Sequence, residues 1–180
     1  MEIKEILYNS IEKQSKYLVS DIAQGKTSEV IKNTYQECKD QLDKLGGNKS
    51  EVLGTFAEGL IHYLLTNALI PSQRKITFNG VYVDISIPDI KTLTISPHDA
   101  LIISFPKTND LLTIKNRLKE IIKVQPIKEN IWFVLESELN IGARTYAVQC
   151  EGGFPFSNII NDIIGFFTNK KQSKLKLFSV

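Results

Sequence analysis

GVYVDISIPD at residues 80–89 and ALIISFPKT at residues 100–108 read as two neighbouring strands, with Asp84 on the first and Lys107 at the end of the second. In the first, Val81, Val83, Ile85 and Ile87 alternate with Tyr82, Asp84 and Ser86. A period of two puts the aliphatic set on one face and presents Asp84 on the polar face of a half-buried strand. The second strand is apolar at nearly every position, as a central strand buried on both faces should be. Upstream, KITFN meets GVYVDISI at Asn79-Gly80, a pair suited to a type I′ hairpin turn.

Helices flank these strands. Ile3, Ile6, Leu7, Ile11, Leu18 and Ile22 recur near one face of residues 2–23, and Ile31, Tyr35, Cys38, Leu42 and Leu45 near one face of a helix starting at Thr27-Ser28 and stopped by Gly46-Gly47. The short loop between them predicts an antiparallel hairpin, packed on its own domain or, alternatively, on a second copy in a homodimer. Ser50 caps a third helix reaching about residue 68, with Val52, Leu53, Phe56, Leu60 and Leu64 inward and Glu58 and His62 toward the polar side. After the central strand, Asn109 or Asp110 caps an amphipathic helix through Ile114, Leu118 and Ile121. Strands at IWFVLE and RTYAVQC and a helix over 156–168 complete the chain. The order predicts an α/β (α+β) protein: a mixed sheet flanked by helices, divided as an N-terminal helical hairpin 1–47, an α/β core 48–169 and a basic C-terminal tail 170–180.

At 180 residues the chain supports one well-packed core. A net charge of +2 does not by itself mark a nucleic-acid binder. Cys38 and Cys150 lie far apart and outside any metal-ligand spacing, so neither a zinc site nor a disulfide framework follows. The apolar stretches are interrupted by His, Asn or Asp before the ~20 residues that span a bilayer, which predicts a cytoplasmic protein without membrane contact. His62 and His98 have no spaced partners, and Gly152-Gly153 lacks the pattern of a phosphate loop.

The order of Glu58 on a helix, Asp84 on a hairpin strand and Lys107 at the end of a central strand resembles the PD-(D/E)xK nuclease superfamily, over roughly residues 50–136. The resemblance implies a restriction-endonuclease-like fold, Mg²⁺ held by Asp84 and Glu58, and Lys107 polarising the attacking water in phosphodiester hydrolysis of DNA. The family carries an acid two residues before its lysine, where this chain has Phe105, and Pro106 next to it removes a ladder donor. A phenyl ring cannot ligate Mg²⁺, so the acid has moved, with Glu58, Asp89 or Glu136 as candidates, or catalysis is lost. An alternative alignment uses Pro88-Asp89. Two functions follow from the resemblance: a divergent Mg²⁺-dependent DNA endonuclease of weak or lost activity, or a catalytically inactive subunit that binds DNA or protein. A basic helix face at Lys115, Arg117, Lys119 and Lys123 is a candidate phosphate contact. At the C-terminus, Gln172, Leu175 and Phe178 have the spacing of a sliding-clamp-binding peptide, which they resemble incompletely because Ser179 holds the second aromatic place.

Overall fold

Asn79 and Gly80 take φ of 48° and 76° in the computed structural model of the protein, the left-handed pair that the hairpin turn requires. They join β1 (Gln73–Phe78) to β2 (Val81–Ile87) in antiparallel register. β2 pairs antiparallel with β3 (Leu101–Ser104), which then pairs parallel with β4 (Ile131–Leu135), and β4 with β5 (Arg144–Ala147). The five strands therefore stand in sequence order in one mixed sheet. The residues described are 2–149 and 153–177, the side chains of 172–177 excepted.

One face of the sheet is covered by α1 (Ile3–Ala23), α2 (Thr27–Asp43), α3 (Lys49–Asn67) and α6 (Ile159–Leu177). Ile6, Ile31, Leu60, Leu64 and Ile160 from these helices join Leu101, Ile103, Phe105, Trp132 and Tyr146 in a continuous core. The N-terminal hairpin thus packs on its own domain, and its apolar stripes meet α3 and the sheet. The other face carries α4 (Ile90–Ile95) and α5 (Leu111–Ile122), whose Leu93, Ile114, Leu118 and Ile121 pack with Ile102, Ile131 and Phe133.

Alternation along β2 departs from the sequence expectation. Val81 and Val83 belong to the core under α5, whereas Ile85 and Ile87 belong to the core under α3. The reversal falls at Asp84, where the regular β1–β2 register passes over the Lys75–Asp84 position and Lys75 takes φ 51°. The polar residue at that point is not presented outward. Asp84 is buried, 7% exposed.

Local starts and stops also shift. Asn48, not Ser50, caps α3 by accepting the Ser50 N–H at 2.9 Å, and the Ser50 hydroxyl instead donates to Glu136. Asp110 caps α5 through the Thr113 N–H at 2.8 Å. Asp89 caps α4 by accepting the Thr92 N–H, which holds its carboxyl below the usual range and explains its polarity without a metal. The backbone of α6 stays helical through residues 170–177, the segment expected as a tail. Gln172 and Leu175 fall in that segment with side chains outside the described residues, and Phe178 lies outside them altogether. No helix among the described residues is long and apolar enough to cross a membrane.

Candidate active site at the end of the central strand

β3 ends at Ser104, and its pairing with β2 stops at Ile103↔Ile85. The next backbone donor, the N–H of Phe105, has no strand partner, and Pro106 has no N–H to offer. Asp84 fills this gap. Its Oδ2 accepts the Phe105 N–H at 3.0 Å and the Ser104 hydroxyl at 2.9 Å. An N–H left orphaned in a buried strand end would cost about 1–3 kcal/mol, so the carboxylate also terminates the sheet. Arg117 of α5 stands 3.6 Å from the same oxygen. Burial is the largest influence on the Asp84 carboxyl and pushes its pKa up; the two hydrogen bonds and Arg117 oppose this, and the charge of Glu58 adds to it.

Beyond β3 the chain turns across α3 at Lys107, which is three residues past the strand rather than at its end. Lys107 takes φ 56°, a left-handed conformation that costs a non-glycine residue on the order of 1 kcal/mol and persists only where surroundings enforce it. Gly54 supplies the room: a Cβ there would lie 2.9 Å from the Lys107 Cγ and 3.4 Å from its Cα. One helical turn on, Glu58 Oε2 accepts from the Lys107 Nζ at 2.8 Å. Arg74 of β1 approaches Glu58 Oε1 at 3.5 Å. Sequence periodicity put Glu58 on the polar side of its helix, yet it is 4% exposed. Burial pushes its pKa up most strongly, but Lys107, Lys75 and Arg74 together hold it below the ordinary glutamate value.

Gly54→Ala separates local from tertiary effects. Helix propensity favours alanine by about 1 kcal/mol, while the clash with Lys107 removes a comparable amount. Net stability should therefore change by less than about 1 kcal/mol while the Lys107 segment moves off α3. Urea melts and the chemical shifts of residues 104–108 measure the two effects; unperturbed shifts would show that the close approach does not position Lys107.

Tyr82, 44% exposed, feels the charges of Asp84, Glu58, Lys107 and Arg117. Burial raises the pKa of its phenol, Asp84 and Glu58 raise it further, and Lys107 and Arg117 lower it. Asp84 on β2 and Glu58 on α3 both act electrostatically on this exposed ring's hydroxyl. Three buried polar atoms there have no hydrogen-bond partner: Glu58 Oε1, Arg74 Nε and His62 Nδ1. Burial and Arg74 together push the His62 pKa down. Asp84 and Glu58 are the carboxylates that could serve Mg²⁺, which takes one or two carboxylates and completes its shell with water and phosphate, and Arg117 and Arg74 stand against their oxygens. No group of three or more His, Cys, Asp or Glu gathers among the described residues. Phe105, 3% exposed, lies in the core beneath α3 and contributes no ligand.

The other named residues separate. Lys115, Lys119 and Lys123 are exposed on α5, with Lys123 paired to Glu120 at 2.6 Å, but Arg117 is half-buried and turned to Asp84. It therefore does not belong to the expected basic face. Glu136 is engaged by Ser50. Sequence reasoning missed Arg74, Gly54, Ser104 and Tyr82, whose roles depend on partners in other elements. A cavity of about 980 Å³ opens between α2 and the segment after β5, lined by Lys32, Lys39, Asp43, Lys49 and Phe156 among others. It shares no residue with the Asp84–Glu58 group and offers one carboxylate, already paired with Lys49.

The mixed five-stranded sheet with helices on both faces is a restriction-endonuclease-like α/β fold. Residues covering 94% of the chain superpose on 94% of the restriction endonuclease PspGI in its substrate DNA complex, with a TM-score of 0.62 and 16% identity. Metal-depleted Ecl18kI in complex with uncleaved, modified DNA superposes with a TM-score of 0.58 over 94% of this chain and 80% of that one, at 9% identity. No family profile and no curated protein sequence matches the chain.

Proposed function

We propose that the protein is a DNA-binding member of the restriction-endonuclease-like fold whose site at Asp84, Glu58 and Lys107 supports slow Mg²⁺-dependent phosphodiester hydrolysis. This reading is supported by a buried strand aspartate, Asp84, a buried helix glutamate, Glu58, whose charge acts on Asp84, and a lysine, Lys107, held in a strained conformation and bonded to Glu58. DNA as the substrate class rests on the likeness to two endonucleases in DNA complexes. Asp84 and Glu58 would hold the metal, which supplies charge neutralisation at the phosphate and a more acidic water. Lys107 places an ammonium beside the same locality, positioned to stabilise negative charge developing on the phosphoryl oxygens. Arg74 orients Glu58, and exposed Lys115 and Lys119 offer phosphate contacts that salt would screen.

Purified protein should nick supercoiled plasmid slowly in Mg²⁺, and Asp84→Ala and Lys107→Ala should each lower the rate by about a hundredfold or more. Cleavage that survives Asp84→Ala would place the site elsewhere. A second reading, an inactive DNA-binding subunit, is favoured by Phe105, which leaves the family's usual acid position apolar. Wild-type protein that binds duplex in a gel-shift titration without nicking it supports that reading over the first.

A further inference from the structure

We propose that Arg117 is a tethered counter-ion of Asp84, which keeps the carboxylate from a divalent cation until a DNA backbone phosphate draws the guanidinium away. The inference deepens the proposed function and rests on reading Asp84 as a carboxylate of a cation site.

Arg117 is held at several points, all on the strand ends around Asp84. One terminal nitrogen donates to the Tyr82 carbonyl and stands 3.6 Å from Asp84 Oδ2. Its Nε lies 3.4 Å from the Ser104 hydroxyl, which itself donates to Asp84, and the guanidinium stands 5.6 Å from the Tyr82 ring centroid. The helix fixes this reach, because Ile114, Leu118 and Ile121 on the same element are locked in the core. Of the two faces of α5, only the inner one brings a cation to Asp84; Lys115 and Lys119 remain in solvent.

A cation and an arginine compete for the same negative charge. A guanidinium does not lose its proton at any accessible pH, so it leaves Asp84 only for another anion. Its side chain keeps 20% exposure, which leaves it open to an incoming group. A phosphodiester matches the fork of the guanidinium better than a carboxylate oxygen at 3.6 Å, an ion pair without hydrogen-bond geometry. Glu58 has a parallel arrangement with Lys107 and Arg74, but Lys107 makes a close hydrogen bond there and is assigned to the chemistry. Arg117 is the cation with an alternative anchor, the Tyr82 carbonyl, that does not depend on Asp84.

Mn²⁺ binding, followed by the loss of the free-ion electron paramagnetic resonance signal, tests this without requiring cleavage. Arg117→Gln, which is uncharged but can still donate to the Tyr82 carbonyl, should bind Mn²⁺ about tenfold more tightly than wild type, the scale of one unit charge removed near a partly buried carboxylate. Arg117→Lys should stay near wild type, and adding Asp84→Asn to Arg117→Gln should abolish the gain. With a short duplex present, wild-type affinity should rise more than that of Arg117→Gln. Mn²⁺ binding that depends on Asp84 but is unchanged in folded Arg117→Gln overturns the counter-ion role. Equal gains with duplex in both proteins overturn the phosphate trigger. Binding indifferent to Asp84 in every background removes the cation site itself, and with it both the counter-ion role and the hydrolytic reading.

Discussion

Phe105→Glu should unfold the protein rather than arm it. The substitution would place a carboxylate where the PD-(D/E)xK motif, which residues 84–107 resemble, carries one two places before its lysine, and the proposed site would gain a metal ligand. Phe105 is 3% exposed within the core formed with α3, α6 and the sheet, while its backbone N–H is the donor that Asp84 accepts. Removing a buried phenyl ring costs about 3–5 kcal/mol, and a carboxylate left among aliphatic side chains costs several more unless it takes up a proton. A domain of this size has only ~5–15 kcal/mol of stability in total. Far-UV circular dichroism with a urea titration should show loss of the cooperative transition near neutral pH. A cooperative melt within about 1 kcal/mol of wild type, with Mn²⁺ binding strengthened, would show that the ring position can turn a carboxylate toward Asp84 and that the packing argument is wrong.

Lys107→Met should destabilise the fold by about 1–3 kcal/mol near pH 7, the cost of leaving a buried charged group short of its hydrogen bond. The figure stays below that of a fully buried pair because Lys107 is a third exposed and Arg74 remains near Glu58. The pH dependence identifies the cause. In wild type the Glu58 pKa is depressed, so its contribution is present above the unfolded carboxyl value of about 4.3 and fades as pH falls through the folded value. Without the ammonium, the strongest opposition to burial is gone and the folded pKa rises toward or past the unfolded one, so the variant keeps less of this stability at neutral pH. The gap between the two proteins should thus be widest at neutral pH and close as pH falls through the depressed wild-type value, below which Glu58 is protonated in both proteins. A gap that is constant with pH would assign the loss to packing of the Lys107 stem instead.

Period and turn chemistry made most of the architecture legible. The Asn79-Gly80 turn, the continuous aliphatic run of β3 and the 3.6-residue stripes of α1, α2 and α5 each encode a local geometry that the tertiary contacts merely accept. α4 escaped notice because six residues carry too short a period to detect, and its cap, Asp89, invited a reading as a ligand. The site was legible as a set of residue types in the right order. Their environments were not.

Asp84 was expected on an outward polar face, Glu58 on a solvated helix side and Arg117 on a basic surface, because each is hydrophilic where its element's pattern has a polar position. The sequence by itself determined the strands, the long helices and their order, with Asp84 on the second strand and Lys107 just beyond the third, since these follow from interactions within a few residues. Only the tertiary structure decided that both carboxylates are buried, that Gly54 admits Lys107 beside α3, and that Arg117 answers Asp84 from the helix packed on that side of the sheet. Those outcomes depend on charges brought together from elements dozens of residues apart: a buried carboxylate is tolerable only where a cation or a backbone donor compensates its lost hydration, and no local pattern records where that partner comes from.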